Sequence, residues 1–219
     1  EGGFYEKGFV LSTTLNDNEI FGIKGNNKIT GGLTTDIIET YQGDDYIESG
    51  KGNDIIRAGA GDDYIDGGEH ELEYEYAKEW VYGGKYPMLG DTIAFDNFRV
   101  DRKTPNDGVE VNLEEGYIKG EGNDTITGVE NVIGSNYKDD ITGNSDNNII
   151  LSGDYSDVIR VREGDDELYG ESGNDIISGN EANDFIYGGE GSDTIDFDEA
   201  KNGINIQLQT EEANELGKD

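Results

Sequence analysis

The sequence predicts an all-β protein: a parallel β-roll, a solenoid with eighteen residues per coil. Three observations carry the prediction. An Ile or Leu recurs every nine residues, two positions behind an Asp or Asn, thirteen times in the 219-residue chain. Glycine recurs in the same phase, at the first, second and fourth positions of the best copies. The last three residues of each copy need an apolar side chain only in the middle. A short fixed period of this kind is the mark of a solenoid, in which each unit stacks on its neighbours and none is stable alone.

The first run covers residues 13–66 and reads TTLNDNEIF, GIKGNNKIT, GGLTTDIIE, TYQGDDYIE, SGKGNDIIR, AGAGDDYID. The second covers 134–196 and reads GSNYKDDIT, GNSDNNIIL, SGDYSDVIR, VREGDDELY, GESGNDIIS, GNEANDFIY, GGEGSDTID. Each unit divides into a six-residue turn and a three-residue strand. Pairs such as Gly59 and Gly61 supply the positive φ a tight turn needs and let carbonyl groups point inward. The strand alternates out, in, out, so the eighth position faces the interior. That position holds Ile20, Ile29, Ile38, Ile47, Ile56 and Ile65, then Ile141, Ile150, Ile159, Leu168, Ile177, Ile186 and Ile195. β-branched residues suit such a stacked, pleated surface.

Two units make one coil with a turn on each side. Turns eighteen residues apart then stack at roughly the 4.8 Å strand spacing, bringing their sixth-position side chains together. Carboxylates that close repel unless a cation lies between them. The natural pairs are Asp36 with Asp54, Asp45 with Asp63, Asp157 with Asp175, Asp166 with Asp184, and Asp175 with Asp193. Asn27 with Asp45, Asp139 with Asp157, and Asn148 with Asp166 form weaker outer pairs. Inward carbonyls and carboxylates are the hard oxygen donors that Ca²⁺ prefers, and the stacking allows roughly nine such ions.

Composition agrees. The chain carries 50 acidic and 16 basic residues, a net charge of −34, and 32% hydrophobic residues. A chain so charged and so poor in apolar surface does not collapse unaided. Metal bound only by the folded state would then supply folding free energy, which a core one Ile wide per unit does not. Absence of Cys removes disulfides and thiolate sites, and a single His (His70) removes a histidine zinc cluster or a Ser-His-Asp arrangement. No eighteen-residue apolar run suggests a membrane span, and the acidity argues against nucleic acid. No catalytic activity is expected, and the chain is expected to be a monomer.

Five segments are expected: 1–12, a lead-in or cap; 13–68, the first roll; 69–133, an insertion, spacer and cap rich in strands; 134–196, the second roll; and 197–219, the start of a further spacer. Alternating Val109, Val111 and Leu113 read as a strand covering the next roll, and Val129, Val132 and Ile133 as its cap. Glu71, Glu73 and Glu75 alternate with Leu72, Tyr74 and Tyr76, which favours a strand over a helix in 69–84. DTIAFDNF at 91–98 reappears as DTIDFDEA at 193–200, so a longer unit repeats and the chain reads as a section of a larger protein.

SGKGNDIIRAGAGDDYIDGG and GGEGSDTIDF resemble the RTX (repeats-in-toxin, hemolysin-type) calcium-binding family, and GVEVNL…GNDTITGVENVIGS resembles segments flanking its repeat blocks. The resemblance implies a calcium-bound β-roll, export through type I secretion machinery while unfolded, folding outside the cell on meeting Ca²⁺, and neighbouring repeat blocks in the same parent chain. It carries the metal-binding Asp onto Asp36, Asp45, Asp54, Asp63, Asp139, Asp157, Asp166, Asp175, Asp184 and Asp193. It adds Asp91 and Asp124, in GDTI and GNDTI, as single, isolated sites. A section of a surface adhesin, or an accessory module of a polysaccharide-modifying enzyme, is the rival expectation for the parent.

Overall fold

A computed structural model of the chain describes residues 7–12, 18–69, 90–96, 108–120, 122–179, 182–196 and 207–208. His70, Trp80 and the strand-or-helix question at 70–84 lie outside the described residues. Within them the protein is all-β, a solenoid of two facing sheets joined by turns, with a small two-stranded sheet, Ser172–Gly173 and Glu190–Gly191, among the turns. No described helix is long and apolar enough to cross a membrane.

One sheet has eleven strands, in the spatial order Lys7–Ser12, Asn26–Thr30, Tyr46–Glu48, Tyr64–Asp66, Asn123–Thr127, Tyr117–Lys119, Glu110–Asn112, Asp140–Thr142, Val158–Arg160, Ile176–Ser178 and Thr194–Asp196. The other has nine: Glu19–Phe21, Ile37–Glu39, Ile55–Arg57, Thr92–Ala94, Asn131–Ile133, Ile149–Leu151, Glu167–Tyr169, Phe185–Tyr187 and Gln207–Leu208. In the repeats each strand pairs in parallel with the one eighteen residues on, for example Ile29 with Ile47 and Ile159 with Ile177. The three-residue strands Glu19–Phe21, Ile37–Glu39, Tyr46–Glu48 and Tyr64–Asp66 bury only their middle residue.

Each eighth-position residue from Ile20 to Ile186 is buried, and Ile195, at the last rung, is partly so. The buried Ile side chains form one core running the length of the roll. Each such side chain contributes about 1.5–3 kcal/mol on burial.

The segment between the runs supplies the connecting rungs. Ile93 stacks on Ile56, Val132 on Ile93, and Ile150 on Val132. On the other sheet Ile126 stacks on Ile65, and Val111 lies beside Ile141. Val109, Val111 and Leu113 are buried, as their alternation suggests. Asn131–Ile133 is paired on both edges, so at this level it is an interior rung where a terminal cap was expected. The reason is register. Val132 reaches the place an eighth-position Ile would occupy, with partners waiting on either side.

Tyr117–Lys119 is the exception to parallel pairing. It runs antiparallel to both Glu110–Asn112 and Asn123–Thr127. This fold-back and the leading strand Lys7–Ser12 give the first sheet its two more strands than the second. A cleft of about 420 Å³ lies beside it, lined by residues including Leu113, Glu114, Gly128, Glu130 and Asp146.

Outward positions are not uniform. Tyr46 and Tyr64 stack with ring centres 4.8 Å apart, and Tyr169 packs against Phe185 and Tyr187. On the outer face of the nine-stranded sheet Ile55, Ala94, Ile133, Leu151 and Tyr169 form a second buried apolar cluster. The nine-residue period predicts one buried residue per strand and does not reveal this cluster, because outward burial depends on what lies against the sheet.

Candidate metal centre

Within each run the sixth-position side chains form two ladders, one at each edge of the roll. In each regular step, a carboxylate Oδ1 accepts the backbone N–H of the sixth-position residue one coil earlier. Asp54 accepts from Asp36 at 2.7 Å, Asp63 from Asp45 at 2.8 Å, Asp157 from Asp139 at 2.8 Å and Asp175 from Asp157 at 2.9 Å. Asp184 accepts from Asp166 at 3.2 Å and Asp193 from Asp175 at 3.0 Å. The ladder amide therefore fixes one oxygen of each carboxylate and directs the other into the turn.

That second oxygen is the informative atom. Oδ2 of Asp45, Asp54, Asp63, Asp91, Asp157 and Asp175 is buried and accepts no hydrogen bond. Ser49 and Ser152 lie close to Asp54 and Asp157, but their hydroxyls donate to the carbonyls of Gly67 at 2.6 Å and Gly170 at 3.0 Å. An anionic oxygen buried without a donor costs several kcal/mol unless something positive meets it.

The turn glycines make room for this arrangement. A Cβ on Gly31 would lie 1.9 Å from the Ser49 carbonyl oxygen and 2.7 Å from Asp36 Oδ2. Carboxylate and carbonyl oxygen thus converge beside the first position of the turn. Gly134 and Gly170 stand in the same relation to Asp139 and Asp175. Among the described residues no three acidic or His side chains gather at one point. Each turn instead offers carboxylate oxygen together with backbone carbonyl oxygen. Such all-oxygen, mixed donor sets suit Ca²⁺, and the orphaned Oδ2 atoms show that the residues fit it.

Burial raises the affinity of these carboxyls for protons. It pushes Asp54 up to about 7, Asp63 to about 8, Asp157 to about 8 and Asp175 to about 6, against the lowering effect of the accepted N–H bonds. Neighbouring ladder carboxylates add to the rise, Asp36 acting on Asp54 and Asp124 on Asp63. Asp45 is also raised, again by burial. The sites strongly disfavour uncompensated negative charge.

Asp91 and Asp124 are not isolated, contrary to the expectation from their motifs. Asp91 Oδ1 accepts the Asp54 N–H at 2.7 Å across 37 residues, and Asp124 Oδ1 accepts that of Asp63 at 3.0 Å across 61. They are the next rungs of the two ladders, brought into register by the strands that follow them. Asp139 Oδ1 likewise accepts from Val109 at 2.7 Å.

The Asn rungs differ. The Asn27 side-chain nitrogen donates to the Ile23 and Gly25 carbonyls at 2.8 and 2.7 Å, the turn oxygens that a cation would otherwise use. Asn148 donates to the Glu130 carbonyl at 2.8 Å and to Asn144 Oδ1 at 2.9 Å. Both still donate their backbone N–H to the next Asp. These two positions, expected as metal residues, are closed by hydrogen bonds that replace charge with an amide donor.

Two features escaped sequence reasoning. Glu130 takes a ladder position, its Oε2 accepting the Asp91 N–H at 2.9 Å. The fifth-position Asx side chains form an exposed outer ladder of opposite sense, each accepting the N–H of the residue one coil later. Asp44 accepts from Asp62, Asp62 from Asn123 and Asp165 from Asn183. Recurrence of Asp or Asn at position five was the available signal for the second; nothing in the nonapeptide pattern signals Glu130.

Comparison with known families gives a match to the RTX calcium-binding nonapeptide repeat (4 copies) over residues 12–47, 39–69, 142–177, 151–184 and 169–200, together more than half of the chain. A search of curated proteins gives no match.

Proposed function

Since this chain belongs to the family of RTX calcium-binding nonapeptide repeats, we propose that it is a calcium-driven folding module of a larger secreted bacterial protein. It is a calcium-binding repeat segment with the β-roll architecture, a structural rather than a catalytic fold. The reading rests chiefly on the buried Oδ2 atoms without hydrogen-bond donors, which recur in register through both runs. The ligands we assign are Asp36, Asp45, Asp54, Asp63, Asp124, Asp139, Asp157, Asp166, Asp175, Asp184 and Asp193, with Asp91 taken up separately below. Residues 13–68 and 134–196 are the two repeat units, with 69–133 joining them.

When bound, calcium supplies the positive charge that the turns lack. The chain's own part is to present one fixed carboxylate oxygen and the adjoining carbonyl in every coil. Where calcium is scarce, as in a bacterial cytosol, the net charge of −34 keeps the chain extended and fit for export through type I machinery. At the calcium levels of extracellular modules, ~10⁻⁴–10⁻³ M, it folds. Each ion orders turns that also border the next site, so the transition is cooperative.

Far-UV circular dichroism of the full chain, titrated with Ca²⁺ after chelation and with Mg²⁺ in parallel, tests this. A steep coil-to-β transition with Ca²⁺ alone is expected. A chain already β-structured in excess chelator above neutral pH would overturn the proposal.

A further inference from the structure

The repeat pattern breaks where the two runs meet, yet the carboxylate ladder of the first run carries on through Asp91 to Glu130. Thr92–Ala94 occupies the strand position following Ile55–Arg57. Its turn is Gly67, Gly68 and Glu69 at the start and Gly90 and Asp91 at the end, with residues 70–89 inserted between them. The turn is a nonapeptide turn split in two. The next coil has the opposite irregularity. Residues 128–130 alone connect Asn123–Thr127 to Asn131–Ile133, a turn of three residues where the repeats use six. Glu130 stands directly before the strand, as the ladder Asp does in each repeat.

The oxygen arrangement of an ordinary turn is nevertheless rebuilt. A Cβ on Gly67 would meet the Gly128 carbonyl oxygen at 1.9 Å and Asp91 Oδ2 at 2.9 Å, matching Gly31 with the Ser49 carbonyl and Asp36 Oδ2. Asp91 is completely buried and its Oδ2 has no hydrogen-bond partner. Glu130 Oε2 accepts the Asp91 N–H, while the Asp91 carbonyl accepts the N–H groups of Glu130 and Asn131 at 3.1 and 3.0 Å. Asp91 is thereby held from both sides.

We propose that Asp91 Oδ2 and the Gly128 carbonyl oxygen form a Ca²⁺ site that joins the two repeat runs, with Glu130 as the positioning residue that orients Asp91. The inference rests on the calcium reading above and goes beyond it. This site draws on residues from the end of the first run, the far side of an insertion and a shortened turn, and none of its spacings is the repeat's eighteen. Closing it aligns Ile93 and Val132 between Ile56 and Ile150. The two runs therefore fold as one calcium-coupled unit.

The test compares the full wild-type chain with Asp91→Asn, Glu130→Ala and the repeat-rung control Asp157→Asn. Bound calcium is counted by equilibrium dialysis, and folding is followed by site-resolved amide exchange. Wild type is expected to gain protection at Ile56, Val132 and Ile177 in one transition. Asp91→Asn should bind one ion fewer and split that transition, Ile56 and Ile177 becoming protected at different calcium concentrations. Glu130→Ala should keep the ligands but weaken the site by about 10–100-fold, as loss of a second-layer partner does. Asp157→Asn should lose an ion without separating the runs. Asp91→Asn with unchanged stoichiometry and a single transition would overturn the inference and leave the calcium reading standing. Wild type insensitive to Ca²⁺ would overturn both. Should Asp91→Asn not fold at any calcium concentration, Glu130→Ala decides: unchanged affinity at every site would overturn the inference.

Discussion

The repeat rungs and the junction rungs reach the same cross-section by different routes. In the repeats, Ile47 meets Ile65 because eighteen residues separate them. At the junction Ile56 meets Ile93 and Ile65 meets Ile126, across 37 and 61 residues. What both share is an acidic side chain two places before an inward aliphatic one, as in Asp54-Ile55-Ile56, Asp91-Thr92-Ile93 and Glu130-Asn131-Val132. Strand register follows that local pair, and turn length is free to vary. The strand needs an inward apolar residue and a carboxylate to accept the previous coil's amide; the intervening loop has only to return.

Proton competition should expose the largest difference. The carboxyls of Asp54, Asp63, Asp91, Asp157 and Asp175 rise from the ordinary 3.8 to between about 6 for Asp175 and about 9 for Asp91. A raised folded-state value means that folding takes up protons. The stabilisation is complete below the unfolded value and disappears as pH climbs through the folded ones. In excess chelator the chain is therefore expected to show more β-structure at pH 5 than at pH 9, measured by circular dichroism. The junction amides near Asp91 should hold their protection to the highest pH. Equal unfolding at both pH values would show that carboxylate charge is not what opposes the roll.

Core truncation comes next. Ile56→Ala in a repeat rung and Ile93→Ala in a junction rung should each cost about 2–5 kcal/mol in urea unfolding with calcium present, since both side chains are buried. A much smaller cost for Ile93→Ala would mark the junction as loosely packed. Smaller again is the ion pair that ties the first run to the junction. Arg57 donates from Nε to Asp96 Oδ1 at 2.9 Å and from a terminal nitrogen to Oδ2 at 3.1 Å, both residues partly buried. Asp96→Ala should cost about 1 kcal/mol, near the top of the range for exposed pairs because the contact is bidentate. Lys51 and Glu69, largely exposed, should contribute a fraction of that, measured by the same urea titration.

The smallest expected effect on stability is a gain of metal. Asn148 closes its turn with amide hydrogen bonds where the repeats have a carboxylate. Asn148→Asp removes those donors and restores the charge. One additional calcium equivalent is the expected outcome by equilibrium dialysis, and an unchanged count would show that the shortened neighbouring turn does not supply the remaining oxygens.

The sequence by itself determined the solenoid, the inward Ile positions, the sixth-position Asp ladder and the oxygen chemistry of the turns. These are periodic, and a period converts directly into stacking because every unit must bury the same residue against a copy of itself. Asp91 and Asp124 were legible as ligand types, but not as rungs. Their partners lie 37 and 61 residues away, and no local pattern counts across an insertion. Only the tertiary structure decided that Tyr117–Lys119 runs antiparallel, that Glu130 replaces an Asp, that Asn27 and Asn148 satisfy carbonyls directly, and that Leu151 is buried on an outward face. Each depends on which non-repeating segments meet, and that is set by the best closure of backbone hydrogen bonds and apolar surface over the whole roll.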